Sequence, residues 1–184
     1  MKRLLDVVAC LLALVVLLPV MVVIAAAVWL DSGPPVLFRQ QRVGRGGRPF
    51  TLLKFRTMVR DAQARGPHFT ADQDPRITRV GRFLRRSSLD EVPQLLNVLR
   101  GEMSLVGPRP DVPAQQADYR PEDWTLRCSV RPGLTGLAQA TLRSRATPDQ
   151  RLAADLDYVR QASLALDLKI LWWTLRRLGG AGAN

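Results

Sequence analysis

The sequence predicts a mixed α/β fold, mostly helical, attached to one membrane-inserted helix. Three observations carry that prediction. Residues 7–30, VVACLLALVVLLPVMVVIAAAVWL, hold no charged side chain. Two strand-like runs, residues 36–43 and 49–56, flank a glycine-rich GRGG. Beyond them the chain reads as a succession of short helices separated by glycine and proline turns. The predicted division is 1–32 for the membrane segment and 33–184 for a globule with amphipathic, interfacial C-terminal helices.

As a continuous helix the first run reaches about 36 Å at ~1.5 Å per residue, enough for a ~30 Å hydrocarbon core. MKR resembles the basic start of a signal peptide, but the apolar run exceeds the usual ~7–15 residues, and basic sequence follows directly. The segment therefore reads as retained in the membrane. Pro19 stands in its middle, where it removes a backbone hydrogen bond and predicts a kink. Each half is then about 17–18 Å long at ~1.5 Å per residue. Basic residues flank both ends: Lys2 and Arg3 before, Arg39, Arg42, Arg45 and Arg48 after. A helix that bends at Pro19 and returns satisfies the preference for cytoplasmic basic flanks at both ends. An ordinary span with a tolerated proline remains equally open.

The hairpin comes next, then a polar stretch over 60–75 that predicts a loop. RITRVGRFLRRSS reads as a short basic helix ending at the paired serines. RRSSLDEVPQLLNVLRG follows as a second helix, and GEMSLVGPRPDVP as a turn enforced by glycine and proline. A short helix near 115–119, a VRPGLTGLAQA loop and helices over 147–162 and 166–178 complete the chain. In the last of these, Trp172 and Trp173 beside Arg176 and Arg177 suit a bilayer interface; a core helix carries the same pattern.

The charge narrows the partners. With 27 Lys+Arg against 16 Asp+Glu the net charge is +11, which suits anionic lipids, nucleotide phosphates or nucleic acid. No helix-turn-helix, zinc finger or aromatic stacking platform accompanies it, so nucleic acid is not an expected partner. Cys10 and Cys128 have no metal-site spacing, and His68 is the only histidine, which argues against a Ser-His-Asp triad.

Asp90 and Glu91 stand adjacent at a helix start. Ser88 to Glu91 fits a capping box, which explains the pair locally. Its surroundings suggest more. Arg76, Arg79, Arg82, Arg85 and Arg86 precede it, and Arg100 and Arg109 follow. Arginine binds phosphate bidentately. Lys54 and Arg56 alternate onto one strand face, and prolines on both sides brace Arg109. A carboxylate facing a polyphosphate is the sharper reading.

FRQQRVGRGGRPFTLLKFRTM, DPRITRVGRFLRRSSLDEVPQLLNVLRGEMSLVGPRP and VRPGLTGLAQ, in this order, resemble the bacterial sugar transferase family, the monotopic phosphoglycosyl transferases, in their minimal catalytic form. The resemblance covers nearly the whole chain. It implies transfer of a phosphosugar from a UDP-sugar to a polyprenyl phosphate such as undecaprenyl phosphate, with UMP released. That is the first membrane step of glycan assembly, at the cytoplasmic face of the bacterial inner membrane. It further implies a re-entrant anchor in the membrane lipids, Asp90 as nucleophile, and Mg²⁺ held by Asp90 and Glu91. Lys54, Arg85 and Arg109 match family positions near the phosphates; Arg56 joins them on the strand-face argument. Asp167 matches an acidic position in the family's C-terminal motif, and a homodimer is compatible with it.

Two departures stand out. Leu18 precedes the kink proline where many relatives have serine, and ATLR, residues 140–143, replaces a common valine-asparagine-glycine-arginine run. The sugar is therefore not inferred from any relative. The rival readings are a membrane-tethered nucleic-acid binder and a non-catalytic adaptor or degenerate homologue.

Overall fold

The computed structural model describes residues 1–62, 66, 74–142 and 146–179. Helix α1 runs from Lys2 to Ser32 with Pro19 inside it, and it is long and apolar enough to be a candidate membrane helix. One stripe of it faces the globule. Cys10 packs with Leu95, Val98 and Met103, while Ile24 and Val28 pack with Phe55 and Leu84. The opposite side leaves Leu11, Leu12, Val15, Val16, Leu18, Val22 and Val23 exposed.

Both ends of α1 are fastened to the globule. At the first, Arg3 donates to the carbonyls of Val98 and Leu99, and the buried Asp6 carboxylate accepts from the Ser104 hydroxyl and the Leu105 amide. At the second, Asp31 accepts from the Val80 amide, and Arg56 donates to the carbonyls of Ser32 and Gly33. A cation on the last carbonyls of a helix complements its dipole.

Strands β1 (Leu37–Val43) and β2 (Pro49–Phe55) form the expected antiparallel hairpin, with Leu37 opposite Phe55 and Val43 opposite Pro49. The turn between them is a 3₁₀ segment, Arg45–Gly47, in which Gly46 and Gly47 take φ of 67° and 75°. That is the left-handed region open to glycine. Of the predicted loop over 60–75, residues 63–65 and 67–73 lie outside the described residues.

Helix α2 (Arg79–Ser87) begins where the Thr78 hydroxyl accepts from the Gly81 amide, 2.9 Å away. Here the structure corrects the predicted capping box. Ser88 adopts φ of 56° and closes α2, its amide bonding back to the Leu84 and Arg85 carbonyls. An N-cap needs extended backbone, so Ser88 does not also cap the following helix, and its side chain makes no cap bond. Asp90 and Glu91 instead lie in a 3₁₀ turn, Leu89–Glu91, and α3 (Gln94–Arg100) begins beyond Pro93.

The segment expected as a plain turn contains β3 (Ser104–Val106), paired in parallel with β4 (Gly133–Thr135). Three-residue strands are too short to announce themselves by alternation. A Cβ on Gly133 would lie 2.1 Å from the Gly107 amide nitrogen, so only glycine permits this approach. The helix expected near 115–119 is a 3₁₀ segment, Pro113–Asp118. Helices α4 (Pro121–Arg127) and α5 (Leu137–Thr141) were not expected, whereas α6 (Pro148–Gln161) and α7 (Leu164–Gly179) fall close to their predicted bounds. The principal core joins α1, β2, α3 and β3 to Tyr158 and Ile170 of the last two helices. Fully buried side chains such as Val98 and Ile170 each contribute roughly 1.5–3 kcal/mol. Leu168, Trp172 and Leu175 remain exposed on α7, with the Arg176 guanidinium 5.3 Å from the Trp172 ring.

Candidate active site

The β1–β2 hairpin, the 3₁₀ turn and the chain entering α2 enclose a cleft of roughly 950 Å³. Its wall carries two carboxylates, Asp90 and Glu91, among eight basic side chains. Lys54, Arg56, Arg85 and Arg109 are all among those eight, so the cleft gathers every predicted catalytic and phosphate-binding residue except Asp167. Asp167 is 3% exposed on α7, where it accepts from Lys2 Nζ at 2.6 Å and from the Tyr158 hydroxyl at 2.8 Å. It fastens the start of α1 and lies outside the cleft wall.

The adjacent acids have different surroundings. Glu91 Oε1 accepts from Lys54 Nζ at 2.6 Å and from Arg109 Nη2 at 2.8 Å. Burial pushes the Glu91 carboxyl up, but Arg109 and Lys54 together outweigh it and bring the pKa down to about 2. The same pairing raises Arg109, while burial lowers Lys54 against the pull of Glu91. Glu91 therefore stays ionised and holds two cations at fixed positions.

Asp90 is 9% exposed, and among the described residues it accepts no hydrogen bond. Burial raises its pKa; Lys54 opposes that rise, Glu91 adds to it, and Arg85 and Arg109 pull against it. The outcome is a poorly solvated carboxylate made more basic than an exposed aspartate yet surrounded by cations. Arg85 is set beside it by α2, with Nε donating to the Thr57 hydroxyl at 2.9 Å. Gly81 lets α2 come that close, since a Cβ there would meet the Thr57 carbonyl oxygen at 2.0 Å.

Behind Arg109 lies a support absent from the sequence reading. Arg127 Nη2 donates to the Arg109 carbonyl at 2.5 Å, and Arg42 Nη1 donates to the Pro110 carbonyl at 3.0 Å. Arg127 is held in turn by Asp111 and by Asp155, the latter at 2.9 Å. Burial pushes Asp155 up to about 6 despite Arg127. Two guanidinium groups thus pin the consecutive carbonyls of Arg109 and Pro110 in the proline-flanked turn. Carbonyl contacts of this kind leave no signature in a sequence motif.

No group of three or more potential metal ligands occurs among the described residues. The donor set that remains, two carboxylates beside an open cleft, suits an ion that takes one or two carboxylates and completes its shell with phosphate oxygens and water, as Mg²⁺ does.

Comparison with known proteins bears on this arrangement. The profile described as "Bacterial sugar transferase" matches residues 1–180. A UDP-glucose:undecaprenyl-phosphate glucose-1-phosphate transferase of Caulobacter vibrioides is 48% identical over 96% of this chain and 69% of its own length. A UDP-N-acetylgalactosamine-undecaprenyl-phosphate N-acetylgalactosaminephosphotransferase of Aeromonas hydrophila is 39% identical over the whole chain, which spans 45% of that protein. An uncharacterized sugar transferase, EpsL, of Bacillus subtilis is 41% identical over 97% of this chain and 87% of its own length. Several other relatives are far longer, this chain spanning 35% and 39% of two of them.

Proposed function

The chain belongs to the bacterial sugar transferase family, and from that premise we propose that it transfers a phosphosugar from a UDP-sugar to polyprenyl phosphate. The single observation that carries the mechanism is Asp90: desolvated, without a hydrogen bond among the described residues, and facing a cleft lined by cations. In the first half-reaction an Asp90 carboxylate oxygen attacks the β-phosphorus of the donor. The bond from that phosphorus to the bridging oxygen breaks, UMP leaves with the electron pair, and an acyl-phosphate ester of the sugar remains on Asp90. In the second, a phosphate oxygen of the lipid attacks the same phosphorus, and the Asp90–phosphorus bond breaks to give the polyprenyl diphosphate sugar.

Lys54 and Arg109, fixed by Glu91, hold the diphosphate and offset its repulsion of the attacking carboxylate. Arg85 supplies a further positive group beside Asp90. A bound Mg²⁺, held by Asp90 and Glu91, would supply charge neutralisation at the phosphates. The two ends of α1 are bonded to one globule, which supports a re-entrant anchor with both ends on one membrane face. That face is the cytoplasmic one by the basic flanks. The relatives named above use different sugars, so the donor is left as a UDP-sugar.

The test is UMP release by the protein in nanodiscs, with Mg²⁺, undecaprenyl phosphate and a panel of UDP-sugars. Acceptor-dependent UMP from one or two sugars, absent in Asp90→Asn, is the expected result. Release that persists in the variant would identify another nucleophile.

A further inference from the structure

We propose that the cleft is divided, with Asp90, Lys54 and Arg109 serving the donor's diphosphate and an Arg56–Arg60 pair receiving the phosphate of the lipid acceptor. This rests on the transferase reading above. Arg56 is 6% exposed, and one of its nitrogens is committed to the end of α1 through Ser32 and Gly33. Its other two, Nε and Nη1, are buried and have no partner among the described residues. The Arg60 guanidinium lies against the same glycine: a Cβ on Gly33 would stand 2.9 Å from its Nη2. Gly33 has φ of 70°, which favours glycine in any case.

The two guanidinium groups are close enough for Arg60 to disfavour the charge on Arg56, and among the described residues neither is paired with a carboxylate. Like charges with buried, unsatisfied N–H groups are costly, and an anion relieves both costs. Position decides which anion. The pair stands where α1 leaves the apolar zone, just past the outward-facing Trp29 and Leu30. A phosphate carried on a membrane-embedded chain is confined to that level; a water-soluble nucleotide sugar is not. Arg85 lines the same cleft and interacts with Asp90, which gives the lipid phosphate a cationic route to the reacting phosphorus.

The experiment separates the half-reactions in nanodiscs of zwitterionic lipid. UDP-sugar alone yields a stoichiometric UMP burst; turnover against polyprenyl phosphate concentration yields the acceptor KM. Arg60→Ala, at an exposed position, is expected to leave the burst within about 2-fold of wild type and to raise the acceptor KM by roughly 10-fold or more. Arg56→Lys, which keeps the charge on the end of α1, is expected to shift the same KM in the same direction. A slowed burst with unchanged acceptor KM places the pair at the donor and overturns the proposal. So does an Arg60→Ala chain that floats poorly with phosphatidylglycerol vesicles while its acceptor KM is unchanged, because the pair then reads bulk lipid. A wild-type chain without a burst, or a burst that survives Asp90→Asn, removes the underlying transferase reading instead.

Discussion

Asp90 and Glu91 are neighbours in sequence with opposite electrostatic fates. Two cations hold Glu91 ionised down to about pH 2, whereas burial raises Asp90. In the proposed mechanism only the ionised form of Asp90 attacks phosphorus. The UMP burst should therefore fail as pH falls through a pKa above the ordinary aspartate value of ~3.9. A burst whose acid limb sits at or below that value would show that Asp90 is not the proposed desolvated nucleophile. Glu91→Gln keeps the shape but weakens the hold on Lys54 and Arg109, and burst rates should drop by about 10²–10³-fold. Unchanged rates would assign both cations to packing. The Asp-Glu pair, the strand-face Lys54 and the proline-braced Arg109 were candidates in the sequence, their roles implied by the family resemblance, and the structure brings them to one cleft. The bond between Asp167 and Lys2 left no such trace, because the two lie at opposite ends of the chain and only the folded structure brings them together.

At the scale of elements, periodicity and glycine placement made the hairpin, α2, α6 and α7 legible. What escaped were elements defined by contacts elsewhere. The three-residue strands β3 and β4 exist through each other, and the Ser88 turn follows from how α2 ends. The turn bearing Arg109 belongs to the same class, since Arg127 of α4 and Asp155 of α6 hold it from behind. Arg127→Ala leaves two buried carboxylates without their cation, and breaking such a buried pair costs about 3–5 kcal/mol. Thermal unfolding should show that loss. In Arg127→Lys, which keeps the charge but loses the planar fork, stability should recover more than the burst rate does. Equal recovery of both would mean that the network stabilises the fold without positioning Arg109.

For the whole molecule, the decisive relation is between α1 and the globule. A helix of 31 residues is about 46 Å long at ~1.5 Å per residue, ample for a ~30 Å core. By length alone α1 would cross. Yet Arg3 and Asp6 at one end bond to the chain around residues 98–105, and Asp31 at the other bonds to α2. One folded body does not hold both ends of a span across the hydrocarbon, so these bonds favour the proposed re-entrant anchor, with both ends on one face. In that proposed arrangement the exposed apolar side of α1 enters the lipid, and the exposed Trp172 and Leu175 of α7 offer a second contact. A protease-sensitive tag placed before Met1 and another in the exposed Arg45–Gly47 turn test this relation. Both should be cleaved in inverted membrane vesicles and neither in intact spheroplasts. Cleavage of the two tags from opposite sides would establish a span and sever the bonds that join α1 to the cleft. Arg56 would then lose its place on the end of the helix, and the arginine pair beside Gly33 would no longer stand at the membrane surface where a lipid phosphate arrives.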